Sequence, residues 1–138
     1  VSSHLRLHQL DVVTLCVEQW PRIGDRWRKR YHSLALHNSI HLNHLPFMGF
    51  PPTWPKYIPK DMLGNWFEFY ADAMEINCWT STEFVGGTWN QTEKRLTARL
   101  KHSDGTEKTV HPKHLVVASG VSSYHLIPDV PDRDDLNR

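Results

Sequence analysis

The 138-residue chain has no apolar run near the ~18 residues that a membrane-spanning helix needs. It has two cysteines, too few for a disulfide framework, and Cys16 lies in an apolar run where a buried free thiol is expected. No charged leader followed by an apolar stretch opens the chain, which predicts a reducing, cytoplasmic setting. With net charge +1 it lacks the cation excess of a dedicated nucleic-acid binder. Its seven glycines, at 24, 49, 64, 86, 87, 105 and 120, nowhere form G-x-G-x-x-G. The low aromatic content of a disordered chain is absent too, because six tryptophans, five phenylalanines and four tyrosines are present.

What remains is one domain of ordinary globular balance, 39% hydrophobic and 22% charged. The run Val12–Glu18 (VVTLCVE) is apolar and β-branched, and it ends in an acid. Apolar residues on both faces predict a strand inside a parallel sheet, with neighbours on both edges. Residues 19–31 then crowd Arg22, Arg26, Arg28, Lys29 and Arg30 among Trp20, Trp27 and Tyr31. Residues 46–59 hold five prolines with aromatics between them, which predicts an ordered extended loop.

Residues 60–76 carry the one clear helical period. Leu63, Trp66, Phe67, Tyr70 and Met74 recur at steps of three and four, as one core-facing stripe. Gly64 weakens that helix slightly. Short strands are expected from residue 78 onward: 78–84, 95–101 and 106–111, with a bulge or close approach at Gly86-Gly87. Asp104-Gly105 signals a type I′ hairpin. A last apolar strand is expected at 114–120, followed by a Pro- and Asp-rich linker at 128–138.

Glu18 at the end of an apolar strand suits an acceptor for ribose hydroxyls, though taken alone a solvated acid there is the more ordinary reading. The residues that follow are more specific. EQWPRIGDRW (18–27) resembles the E-x5-G-[GD]-x-W segment of class B flavin-dependent monooxygenases, the flavin-containing monooxygenases and their plant indole-3-pyruvate relatives. RYHSLALH (30–37), LPFMGFP (45–51), PKYIPKDMLGNWFEFYA (55–71) and HLVVASGVSSYHLIPDVP (114–131) are similar to further segments of that family, in the same order.

The resemblance implies an α/β fold: a partial Rossmann-like FAD-binding domain with an antiparallel β-meander, lacking the first strand and its glycine loop. The single partial domain would run over 1–138. Residues 1–45 supply the FAD-domain strand and flavin loop, 46–77 the Pro-rich loop and helix, 78–113 the meander, and 114–138 the return strand and linker. The implied cofactors are FAD and NADPH. The implied partners are O₂ and a small organic substrate, oxygenated through a flavin hydroperoxide, with no nucleic acid and no membrane span.

Residue by residue, Glu18 matches the ribose-binding acid. Gly24 and Asp25 match the turn that lets backbone approach FAD, and Arg26 and Trp27 the pair lying along the diphosphate and ring system. His37 and Asn38 match a flavin-adjacent place, and Phe84 a backbone position that meets the adenine. Ala118, Ser119 and Gly120 match the small-residue segment beside the FAD. Both glycine loops of the family would fall outside the chain, which starts at Val1 rather than Met. The expectation is therefore an internal fragment that by itself neither holds FAD tightly nor turns over. Two other readings stand beside it: a degenerate non-catalytic product, or a small RNA- or phosphate-binding module using Arg22–Arg30. Of His32, His37, His41 and His44, His37 and His41 are four apart, which puts ligands on one face only in a helix; Asn38, Ser39, Asn43 and Pro46 disfavour one and no Cys or acid lies nearby, so no metal is expected. The Asn90-Gln91-Thr92 sequon is read as chance.

Overall fold

The computed structural model of the chain describes residue 7 and residues 9–120. The expected 128–138 linker lies outside the described residues. The elements run β1 (Cys16–Val17), α1 (Asp25–Arg28), α2 (Lys60–Ala73), β2 (Cys78–Trp79), β3 (Thr82–Asn90), β4 (Arg95–His102) and β5 (Glu107–Val110). β1 and β2 pair in parallel, and β3, β4 and β5 form an antiparallel meander in that order.

The helical stripe folds as its period dictates. Leu63, Trp66, Tyr70 and Ala71 are buried on α2, and Phe67 and Met74 pack partly buried beside them. The Pro-rich loop covers this face. Phe50 stacks on Trp54 with ring centroids 5.7 Å apart and meets Trp66 at 4.5 Å. Trp66 meets Tyr70 at 4.9 Å. The Tyr70 hydroxyl donates to the Pro46 carbonyl at 2.6 Å, so its one buried polar atom is satisfied. Five prolines fix φ along the loop, and aromatic contacts hold it against the helix.

The meander also follows its sequence, with a register shift between Phe84 and Gly86 where the glycine pair predicts one. The hairpin differs from the type I′ expectation. Three residues separate His102 from Thr106, and only Gly105 has positive φ (+90°), so Asp104 sits in an ordinary conformation. The Asp104 carboxylate accepts the Thr106 N–H at 2.8 Å, which favours this longer loop. That bond, with others from Thr106 and His102, holds the Asp104 carboxyl down at about 2.

Two strands are corrected. The ladder in the 12–18 run covers only Cys16 and Val17, while Val12 and Val13 are exposed. Residues 114–120 form no strand and are exposed. A strand apolar on both faces needs a ladder on both edges and a layer over each face. Among the described residues, β1 has one neighbour, so its ladder stays short. Cys16 and Cys78 lie in register across that ladder. Both are half-buried thiols, and burial, helped by Cys16 and Glu18, pushes Cys78 up to about 11. Among the described residues no helix is long and apolar enough to cross a membrane.

Candidate functional site

The chain leaves β1 at Glu18 and turns at once. Glu18 takes the Trp20 backbone N–H on Oε1 at 3.0 Å. Its own N–H donates to Trp79 and its carbonyl accepts from Thr82, each at 2.9 Å. The acid is thus pinned where β1, β2 and the first residue of the meander meet. A carboxylate can accept several further hydrogen bonds, so one backbone donor orients it without exhausting it. Trp20 accepts the Ser81 N–H on its carbonyl, and Lys29 Nζ sits 3.5 Å from the centre of its ring. The indole Nε1 of Trp20 is a buried donor with no acceptor among the described residues.

Gly24 reverses the chain. Its φ is +89°, a left-handed conformation that glycine adopts without steric cost. Its carbonyl accepts from Trp27 at 2.9 Å and Arg28 at 3.2 Å, starting α1. Gly24 also crosses α2 at Gly64. A Cβ at Gly24 would strike the Gly64 carbonyl and come within 2.9 Å of Gly64 Cα. A Cβ at Gly64 would meet Arg28 Cγ at 2.9 Å. The glycine that weakens the helix in isolation is what allows this crossing.

Asp25 is buried and accepts Arg28 Nη1 at 2.9 Å. Arg22 grips Glu68 with two bonds, 3.0 and 2.6 Å, and Arg28 adds a third at 2.9 Å. These cations hold the Glu68 carboxyl below its ordinary range, Arg22's hydrogen bond first. Lys29 lies over Trp20, and Arg30 lies 5.7 Å from Trp27's ring centre. The cations proposed as an RNA-facing patch are therefore engaged within the fold. A surface that reads phosphates needs its cations presented outward, so the structure does not favour that module.

The other predicted site residues are placed as follows. His37 and Asn38 are exposed on a segment that Leu36 and Ile40 tie to Ile58 and Lys56 through backbone bonds of 2.9 and 2.8 Å. Phe84 is on β3, two residues past Thr82, and its ring lies 3.3 Å from where a Cβ on Gly87 would be. Ala118, Ser119 and Gly120 are exposed with no regular structure. The fold joins Glu18 to the start of β3 through the Thr82 bond, and it sets the 24–27 turn against α2 at Gly64. Among the described residues no three His, Cys, Asp or Glu side chains gather as metal ligands.

Sequence reasoning missed two features. A half-open cleft of about 380 Å³ lies beside β2 and the meander, lined in part by Trp79, Leu100, His102 and Lys108. The clamp of Arg28 on Asn65 and Glu68 was also unseen. Its members are separated by 37 and 40 residues, and the Gly24–Gly64 crossing lets them meet.

No family model matches the chain. It is 30% identical over 125 residues to the probable indole-3-pyruvate monooxygenase YUCCA9 of Arabidopsis thaliana, covering 90% of this chain and 30% of that protein. It is 33% identical over 79 residues to an uncharacterized CzcO-like oxidoreductase of Geobacillus kaustophilus, covering 57% of this chain and 23% of that protein. The fold matches a crystal structure of cyclohexanone monooxygenase with TM-score 0.79 at 21% identity, over 96% of this chain and 27% of that one. It matches OTEMO in complex with FAD and NADP with TM-score 0.75 at 17% identity, over 96% of this chain and 26% of that one. The chain spans about 30% of the length of the curated plant relatives it matches.

Proposed function

We propose, from the premise that the chain is class B flavin-dependent monooxygenase-like in sequence and in fold, that it supplies one wall of an FAD site in an NADPH-dependent monooxygenase. The observation that carries this is the turn after β1, where a fixed acid, a left-handed glycine and Trp27 stand in the family's order. Glu18 would accept hydrogen bonds from the ribose hydroxyls, the role an acid at a strand's carboxyl end plays in dinucleotide folds. Gly24, Asp25, Arg26 and Trp27 would lie along the diphosphate and flavin. The buried Trp20 indole donor fits the same end, since it waits for an acceptor. His37 and Asn38 would flank the flavin, the Phe84 backbone would meet the adenine, and Ala118–Gly120 would pack beside it.

Bound FAD would supply the redox chemistry, taking a hydride from NADPH and passing one atom of O₂ to a small organic substrate. This chain's residues bind, orient and exclude water. The residues present fit the ribose end of the cofactor. They do not include a G-x-G-x-x-G phosphate cradle, so the 138-residue chain alone holds FAD weakly and does not turn over.

A chimera tests the assignment. This chain replaces the matching segment of the Arabidopsis relative, and bound flavin is read by absorbance. The folded chimera retains FAD, and Glu18→Ala in it releases most of the flavin. A folded chimera without FAD, or Glu18→Ala with full FAD, overturns the reading. A tight stoichiometric flavin complex of the 138-residue chain overturns the claim that it needs the rest of the site.

A further inference from the structure

We infer that Arg28, held by α2, is the positioning residue that fixes the conformation of the 22–28 turn. This rests on the reading of that turn as a cofactor wall, and it concerns a side chain that the family match leaves without a role. A guanidinium has five N–H donors in a rigid planar fork. Arg28 directs Nε to Asn65 Oδ1 at 3.1 Å and Nη2 to Glu68 Oε2 at 2.9 Å, both on α2. Its Nη1 reaches the Ile23 carbonyl and Asp25 Oδ1, each at 2.9 Å, both in the turn. One side chain therefore bonds the residues on either side of Gly24 and ties them to a helix about 40 residues away.

The backbone of Arg28 is held as well. The buried ammonium of Lys60, at the start of α2, donates to the Arg28 carbonyl at 2.7 Å. Glu68 is shared with Arg22 at the turn's entrance, so both ends of the 22–28 segment meet one carboxylate. The Gly24–Gly64 crossing brings backbone against backbone. Gly24 is left-handed, a conformation that glycine can take but is not confined to, so its surroundings select it. Arg28, Lys60 and Gly64 are those surroundings. They set the geometry of the turn.

The test separates positioning from bulk stability. Amide hydrogen exchange is measured on the 138-residue chain and on three variants: Arg28→Met, Arg28→Lys and Leu100→Ala. Leu100 is buried in the meander, so its truncation is the control for general destabilisation. Arg28→Met is expected to speed exchange at the Trp27 and Lys29 amides by about tenfold or more, the scale of losing one charged hydrogen bond, with the β3–β4 amides unchanged. Leu100→Ala is expected to do the reverse. Arg28→Lys does not restore protection, because a point charge cannot serve four acceptors in one plane. Unchanged exchange in the turn of Arg28→Met, equal acceleration throughout the chain, or full rescue by lysine overturns the proposal. Gly64→Ala is an independent probe, because it displaces the Arg28 stem without removing a charge, and it is expected to loosen the same amides. In the chimera, Arg28→Met is expected to lower flavin affinity by about tenfold, again the value of one charged hydrogen bond. Faster turn exchange with unchanged flavin affinity leaves the positioning role standing and removes the turn from the cofactor site.

Discussion

Two apolar regions of this chain meet different fates. The α2 stripe and the Pro-rich loop bury one another, so Ile58 is 0% and Tyr70 1% exposed. The valine runs at 12–17 and 115–117 are as apolar, yet Val13 is 95% and Val117 74% exposed. The difference lies in where each element's partner is encoded. An amphipathic helix needs one face covered, and the loop directly before it supplies that cover. A doubly apolar strand needs two neighbours and two layers, all distant in sequence. Hydrophobicity states that a segment is to be covered, and topology states by what.

The largest break in this contrast comes from Trp66→Ala. Trp66 touches Phe50, Phe67 and Tyr70, and its removal opens a cavity where loop and helix meet. The expected cost is about 3–5 kcal/mol, the range for deleting a buried large aromatic. Denaturant titration measures it, and a loss below about 1 kcal/mol would show that the loop does not depend on the helix face.

A smaller effect is expected from acid. Glu68 is held below its ordinary 4.5, first by the hydrogen bond from Arg22 and then by Arg28. A carboxyl with a lowered folded-state pKa contributes stability that is fully present above 4.5 and is lost as the pH falls through the folded value. Melting temperatures of the chain and of Glu68→Gln should therefore differ at neutral pH and converge below 4.5. Glu68 is partly exposed, so added salt should narrow the gap. A constant offset at all pH values would mean that the carboxylate's charge does not hold the turn.

Much of this was legible in the sequence. The 63–74 stripe carries its own period, and Gly86-Gly87 marks the bulge, because helix faces and bulges are local properties. The Glu18–Trp27 order was legible as a family pattern. The Arg28–Glu68 clamp was not, because it joins residues 40 apart through a crossing that two glycines permit. Gly64 read alone is a weak helix residue, and its purpose shows only beside Gly24. The 12–18 and 114–120 runs were over-read as strands. Their composition is that of buried strands, but a ladder is a property of two segments, and the described residues provide a partner only for Cys16 and Val17.

The smallest expected effect sharpens the comparison most. Val13→Thr keeps the β-branched shape and replaces one methyl with a hydroxyl. At a buried site that change leaves a polar group to satisfy and costs about 1–3 kcal/mol. At a site that is 95% exposed the hydroxyl meets water, and the change stays within about 0.5 kcal/mol. The same substitution in the chimera described above would be read against a complete sheet. If a strand and a covering layer lie over the 12–17 run there, Val13→Thr becomes costly in the chimera while remaining silent in the 138-residue chain. Equal, near-zero costs in both would show that the run is a surface segment whatever surrounds it. Equal, large costs would show that the run is already covered in the chain alone. Only the unequal result ties its valines to a partner outside these residues, and it does so without reference to flavin.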